Sequence, residues 1–190
     1  MEVIKTELEG VVIIEPRIFS DDRGYFYESF SQREFSEKVC DTVFVQDNQS
    51  KSSYGVLRGL HFQKAPHAQS KLVRVLKGRV VDVAVDIRKG SPTYGKHVAV
   101  ELTEDNHRQL FIPRGFAHGF VVLSEEAIFQ YKCDNFYSKE SEGALMWNDS
   151  ELAIDWGISE AEAILSDKDR LNSSFADFDS PFSYDINYYE

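Results

Sequence analysis

Cysteine is scarce in this chain. Only Cys40 and Cys133 occur among 190 residues, and there is no CxxC pair. Neither a disulfide framework nor a thiolate zinc site is therefore indicated. Long apolar runs are missing as well: none approaches the ~20 residues a membrane-spanning helix needs. The opening MEVIKTELEG lacks the basic and then apolar pattern of a secretory leader. Positive charge is outweighed, with 21 Lys and Arg against 32 Asp and Glu, a net charge of −11. Such a chain is a poor general binder of nucleic acid or anionic membrane, so an anionic ligand must meet a local basic cluster. No internal repeat, low-complexity tract or linker breaks the sequence. These absences lead us to expect a cytoplasmic protein without nucleic-acid or membrane partners, folding residues 1–190 as one domain.

What is present is a series of short alternating segments. In RVVDVAVDI, Val81, Val83, Val85 and Ile87 share one parity and Val80, Asp82, Ala84 and Asp86 the other. This predicts a strand with one face drier than the other. KHVAVEL repeats the pattern through Val98, Val100 and Leu102. Turn residues punctuate the runs at 76–78, 88–95 and 103–106. Closely spaced short strands of this kind predict an all-β sandwich or barrel. Helix signals are few. Ser31 precedes Glu34 in SQREF, and Ser159 precedes Glu162 in SEAEAIL, each at capping-box spacing. They predict one short helix near the start and a helical extension near the end.

Some polar groups lie within the predicted strands. His61 interrupts RGLHFQ, Lys71 opens KLVRVLKG, Tyr131 shares parity with Phe129 and Cys133, and His118 ends PRGFAH. A small barrel can hold one ligand, and inward polar groups from several strands can converge on it. Taken singly, each has an ordinary structural explanation: a strand His is usually just hydrogen-bonded, a Tyr packs, and a Lys snorkels. Regular pleating also sends Arg58 and His61 to opposite faces, unless Gly59 marks a bulge.

PRGFAH matches the second half of the cupin metal motif, PxGxxH. Aligning the first half, HxHxxxE, on Gly78 puts Ala65, His67 and Lys71 at its ligand positions. An ammonium in place of the carboxylate repels a divalent cation and offers it no lone pair. The pattern resembles a cupin-like jelly-roll barrel whose metal site is not intact, with His67 structural or exposed.

Eight segments, in order, resemble the dTDP-4-dehydrorhamnose 3,5-epimerase family along nearly the whole chain: EPRIFSDDRGYFYESF (15–30), FVQDNQSKS (44–52), VLRGLHFQ (56–63), QSKLVRVLKG (69–78), IPRGFAHGF (112–120), FQYKCDNFYSKESE (129–142), WNDSELAIDW (147–156) and LSDKD (165–169). The resemblance implies a jelly-roll core with a few short peripheral helices, a homodimer, no metal or other cofactor, and a dTDP-linked 4-keto-6-deoxyhexose as substrate. It implies His61 as base, Asp169 as its carboxylate partner, Tyr131 as acid and Lys71 beside the sugar ketone. By the same resemblance, Arg23, Arg58 and Lys168 face the diphosphate or sugar. Glu28, Gln46, Asp47 and Asn48 make polar contacts at the thymidine end and in the pocket. Tyr137 stacks on the thymine, Phe19 and Phe26 close an apolar wall, and His118 and Glu142 add further contacts. The tail FADFDSPFSYDINYYE matches no motif and is expected either to pack on a dimer or to fray.

The chemistry suits those residue types. C3 and C5 flank a ketone, so removing either proton gives an enolate. Inversion then needs a base on one face, a charge to hold the oxyanion and an acid on the other face. Two rival readings stay open at this level: a metal-dependent cupin enzyme, and a jelly-roll binding module without chemistry. Relatives that invert only one carbon form a third alternative.

Overall fold

The computed structural model describes all 190 residues. Strands are numbered in chain order. One antiparallel sheet runs β1 (Glu2–Lys5), β2 (Val12–Glu15), β11 (Gln109–Ile112), β7 (Lys71–Lys77), β13 (Glu126–Cys133), β5 (Gln46–Ser53). The other runs β10 (His97–Thr103), β8 (Arg79–Asp86), β12 (Phe116–Val122), β6 (Leu57–Gln63), β14 (Glu142–Ala144). A hairpin of β3 (Phe19–Asp21) and β4 (Gly24–Phe26) stands apart, and β9 (Arg88–Lys89) pairs in parallel with β15 (Phe182–Ser183). The two large sheets face each other as a jelly roll. Between them lies a core to which Val73, Val75 and Phe129 contribute from one sheet and Val80, Phe120 and Val122 from the other.

The middle strands of the five-stranded sheet, β8 and β12, are buried on both faces, while the edge strand β10 exposes Ala99 and Glu101. Val83, Val85 and Ile87 point away from the barrel into a second cluster, where Trp147, Leu152, Trp156 and Phe182 from the C-terminal part of the chain cover them. Both faces of β8 are therefore dry. The polar member of its inner face, Asp82, is fully buried between Val80 and Ala84.

One irregularity matters for the site. β12 pairs with β6 through His118 opposite His61 and Phe120 opposite Arg58, so β6 holds one residue more than its partner over that interval. This is a bulge, and it falls at Gly59. Gly59 has φ +139°, and a Cβ there would lie 2.5 Å from Gly119 Cα, so only glycine fits between the strands.

The first expected helix forms as α1 (Gln32–Lys38), burying Phe35 against Ile14, Leu72 and Phe111. Its capping box does not close: the Ser31 side chain makes no cap bond. Glu34 instead accepts from the amino terminus at 3.2 Å, a full positive charge that outcompetes a neutral amide.

The expected C-terminal helical extension does not form. Glu162 does accept from Ser159 N–H and Oγ, at 2.9 and 2.6 Å, but one turn later the chain extends. Ile164 there exchanges backbone bonds with Gly55 and Leu57 beside β6. Strand-like pairing to the barrel wins over propagation of a short helix. The only later helical element is a 3₁₀ turn at Asp169–Leu171. The tail packs on its own chain, with Phe182 buried and Ser180 Oγ donating to Ile87 O.

Candidate active site

Between the sheets is a cavity of about 530 Å³. β6 and β12 supply Arg58, His61 and His118 from one wall. β5, β7 and β13 supply Asn48, Lys71 and Tyr131 from the other. The turn carrying Lys168 and Asp169 closes one end. The bulge at Gly59 brings Arg58 and His61 into the same cavity, against the regular-pleat expectation. A second hollow of about 340 Å³ adjoins it, lined by Gln46, Tyr137 and Glu142 and sharing His61, Lys71, Tyr131 and Lys168.

His61 Nε2 lies 2.5 Å from Asp169 Oδ1. An ionised carboxylate only accepts, so Nε2 carries the proton and Nδ1 keeps its lone pair. Asp169 is nearly buried at the start of its 3₁₀ turn, and its second oxygen accepts from Ser166 Oγ at 2.9 Å. Burial alone would raise the Asp169 carboxyl, but the bonds from His61 and Ser166 hold it below its ordinary value.

On the facing wall, the Lys71 ammonium stands 5.9 Å from the centroid of the Tyr131 ring. Burial pushes the Lys71 ammonium down. It pushes the Tyr131 phenol up, with a further push from Cys133 and an opposing pull from Arg58. Tyr131 is thus neutral over the physiological range and can only give a proton.

Asp82 and Ser166 are the residues that sequence reasoning missed. Asp82 accepts from His118 Nε2 at 3.0 and 2.9 Å, deep in the barrel beside Lys71. Burial drives the Asp82 carboxyl up and the His118 imidazole down, both away from their charged forms. The signal was an acidic residue at an inward position between Val80 and Ala84. For Ser166 it was the Ser-x-x-Asp spacing inside LSDKD.

The polar contacts divide into two groups. Gln46 Nε2 donates to Asn48 Oδ1 at 3.0 Å, and Gln46 Oε1 accepts from Tyr137 N–H at 3.4 Å. Glu142 pairs with Lys168. Arg58 leans on Ser52 Oγ at 3.2 Å. Apart from Ser52, all of these line the two hollows. Asp47 does not: β5 alternates, so Asp47 turns outward and pairs with Lys132 at 2.7 Å.

Phe19, Phe26 and Glu28 line a separate hollow of about 210 Å³ beside α1. Arg23 sits at the hairpin tip, 90% exposed and paired with Asp21. The chain does not bring these four to His61.

His67 bonds Ser141 Oγ at 2.9 Å, a structural role. No three His, Cys, Asp or Glu side chains converge as a metal-binding group. No helix is long and apolar enough to cross a membrane.

Residues 5–177 match the family model described as dTDP-4-dehydrorhamnose 3,5-epimerase. The chain is 57% identical over 180 residues to the enzyme of that name from Shigella flexneri, covering 94% of this chain and 98% of the relative. A crystal structure of a dTDP-4-dehydrorhamnose 3,5-epimerase from Elizabethkingia anophelis superposes with TM-score 0.90 at 59% identity, covering 93% of this chain and 97% of the other. A second crystal structure, of a dTDP-6-deoxy-D-glucose-3,5-epimerase from Legionella pneumophila in complex with dTDP-4-keto-L-rhamnose, gives TM-score 0.93 at 48% identity, covering 97% and 99%. With the cavity described above, these matches establish that the chain belongs to the dTDP-4-dehydrorhamnose 3,5-epimerase family.

Proposed function

We propose that His61 removes the protons at C3 and C5 of dTDP-4-dehydro-6-deoxy-D-glucose through its free Nδ1. Reprotonation on the opposite faces gives dTDP-4-dehydro-L-rhamnose, on the route to dTDP-L-rhamnose. Asp169 fixes the His61 tautomer and stabilises the imidazolium that forms. The electrons left at carbon move onto the C4 oxygen, and the Lys71 ammonium holds that oxyanion. Tyr131 then delivers its phenolic proton to carbon from the other side. Exchange with solvent returns the proton to Tyr131 and removes it from His61.

The observation that carries this reading is the division of the groups between walls. The base stands on the five-stranded sheet, and the acid and ammonium on the six-stranded one. A sugar ring held between them meets a base on one face and an acid on the other, which is what inversion requires.

Arg58 and Lys168 suit the diphosphate oxyanions. Tyr137 suits the thymine face, and Gln46, Asn48, His118 and Glu142 the remaining polar edges. Lys71 serves in place of a metal at the cupin Glu position, so the reaction we propose uses no metal or other cofactor. We also infer that residues 1–190 act as one unit, as a cytoplasmic homodimer. Phe19, Tyr25 and Phe26 are 51%, 62% and 70% exposed on a hairpin remote from the chain's own cavity. A second copy would cover them and would let Arg23, Phe19, Phe26 and Glu28 reach its partner's nucleotide.

The deciding test is proton exchange by NMR in D₂O after chelator treatment. Deuterium at both C3 and C5 with conversion to the L-lyxo-4-hexulose is expected. Label at one carbon only would convert the reading to a single-site epimerase, and no label would leave a binding protein.

A further inference from the structure

Residues 178–190 lie beyond the stretch that the family model matches, yet they are not loose. Phe182 is buried, and β15 pairs with β9. Tyr188 and Tyr189 then pack on Arg114. Arg114 Nη1 donates to Tyr188 O at 2.5 Å, and Arg114 N–H donates to Tyr189 Oη at 3.3 Å. The guanidinium lies 5.0 Å from the Tyr189 ring centroid.

From there a buried chain of contacts leads toward the cavity. Arg114 Nε donates to Asp134 Oδ2 at 3.1 Å, and the Asp134 side chain is fully buried. Asp134 also accepts from Ser70 N–H at 2.6 Å, Ser70 Oγ at 2.5 Å and Thr42 Oγ1 at 3.0 Å. Ser70 directly precedes Lys71. Asp134 directly follows Cys133, whose Cα is the register partner of Lys71. The carboxylate thus ties together the two strand ends from which Lys71 enters the cavity.

We propose that the C-terminal pair Tyr188–Tyr189 is a positioning element for Lys71, acting through Arg114, Asp134 and Ser70. A buried carboxylate with four donors is held only while its cation stays in place and dry. The tyrosine carbonyl and ring fix that cation and cover it. Lys71 must stand within a fraction of an ångström of the developing oxyanion to stabilise it. The tail, about which the sequence motifs are silent, thereby becomes part of the catalytic frame. This inference rests on the reading of Lys71 as the group that holds the oxyanion.

The test uses the full-length enzyme, with Tyr189→Ala and the conservative Tyr189→Phe. Steady-state kcat and KM are measured beside thermal unfolding and dTDP affinity. We expect Tyr189→Ala to lose about tenfold in kcat, in line with small displacements remote from the chemistry. KM and dTDP affinity should stay within about twofold, because ground-state binding is untouched. Tyr189→Phe should recover most of the rate, since its ring still covers the guanidinium. Should Tyr189→Ala fail to fold, Arg114→Lys keeps a cation beside Asp134 but loses the fork to Tyr188, and it should show the same kcat loss. An unchanged kcat per folded molecule, or a loss confined to KM, overturns the inference while leaving the epimerase reading intact. A wild-type enzyme without turnover removes both.

Discussion

Replacing Asp169 with Asn tests the centre of the site with little change in shape. The carboxylate faces His61 Nε2 at 2.5 Å and Ser166 Oγ at 2.9 Å, so both oxygens are engaged. When His61 takes a proton it becomes an imidazolium beside that carboxylate. At a charge separation of ~4 Å and an effective dielectric of ~20, the pair is worth about 4 kcal/mol. The His61 side chain is 40% exposed. Screening cuts that figure to roughly 2 kcal/mol, a loss of about 30-fold in proton abstraction. This is the floor, reached if the amide presents its oxygen to Nε2–H. If it presents its NH₂ group, Nε2 must accept and Nδ1 takes the proton. The base is then blocked, and the loss approaches the ~10⁴-fold seen for the equivalent change in a Ser-His-Asp triad. The assay is the rate of deuterium entry at C3 and C5 at saturating substrate, with dTDP affinity measured separately. Affinity should hold while exchange falls at least about 30-fold. Exchange within about twofold of wild type would mean that Asp169 does not set the state of His61.

Other outcomes follow from the same geometry. Tyr131→Phe should depress product formation more than C3 and C5 exchange, because abstraction precedes reprotonation; equal losses would show that Tyr131 also places the base. Lys71→Met should slow exchange by about 10²-fold, as loss of an oxyanion partner does, and an unchanged exchange rate would end its electrostatic role. Because burial lowers the Lys71 pKa, wild-type kcat should fall on the alkaline side below the ordinary lysine value, as the ammonium loses its proton, and Lys71→Met should lack that limb. Gly59→Ala should destabilise the fold by roughly 3 kcal/mol, through the close approach to Gly119 and the positive φ; a urea midpoint equal to wild type would contradict the bulge.

Alternation alone was enough to foresee a barrel. The inward run Phe129, Tyr131, Cys133 is where parity puts it, whereas Asp47, which the resemblance grouped with Gln46 and Asn48 in the pocket, turns outward to Lys132. Periodicity failed wherever one residue or one distant contact decides. The extra residue in β6 flips everything beyond it to the other face, so Arg58 and His61 share a cavity that regular pleating denies them. The Ser159–Glu162 box forms, but a bridge between Ile164 and Val56 ends the turn. No local pattern reports that contact, because its partner is more than a hundred residues away.

Charge follows the same division. The surplus of −11 argues against anionic ligands only if it is spread evenly, and here it is not. Lys71 comes from one sheet, Arg58 from the other and Lys168 from a turn. The acidic groups around them are each engaged: Asp169 by His61, Asp82 by His118 and Glu142 by Lys168. Composition sums over the surface, whereas a ligand meets only the groups that the fold gathers. That is why the candidate residues were named by the resemblance to a family, which keeps residues in order, and not by charge or periodicity. It is also why the resemblance could not foresee that Arg23, Phe19, Phe26 and Glu28 stand away from His61 within one chain. A family pattern records residues and their order, and not which of them one folded chain brings together.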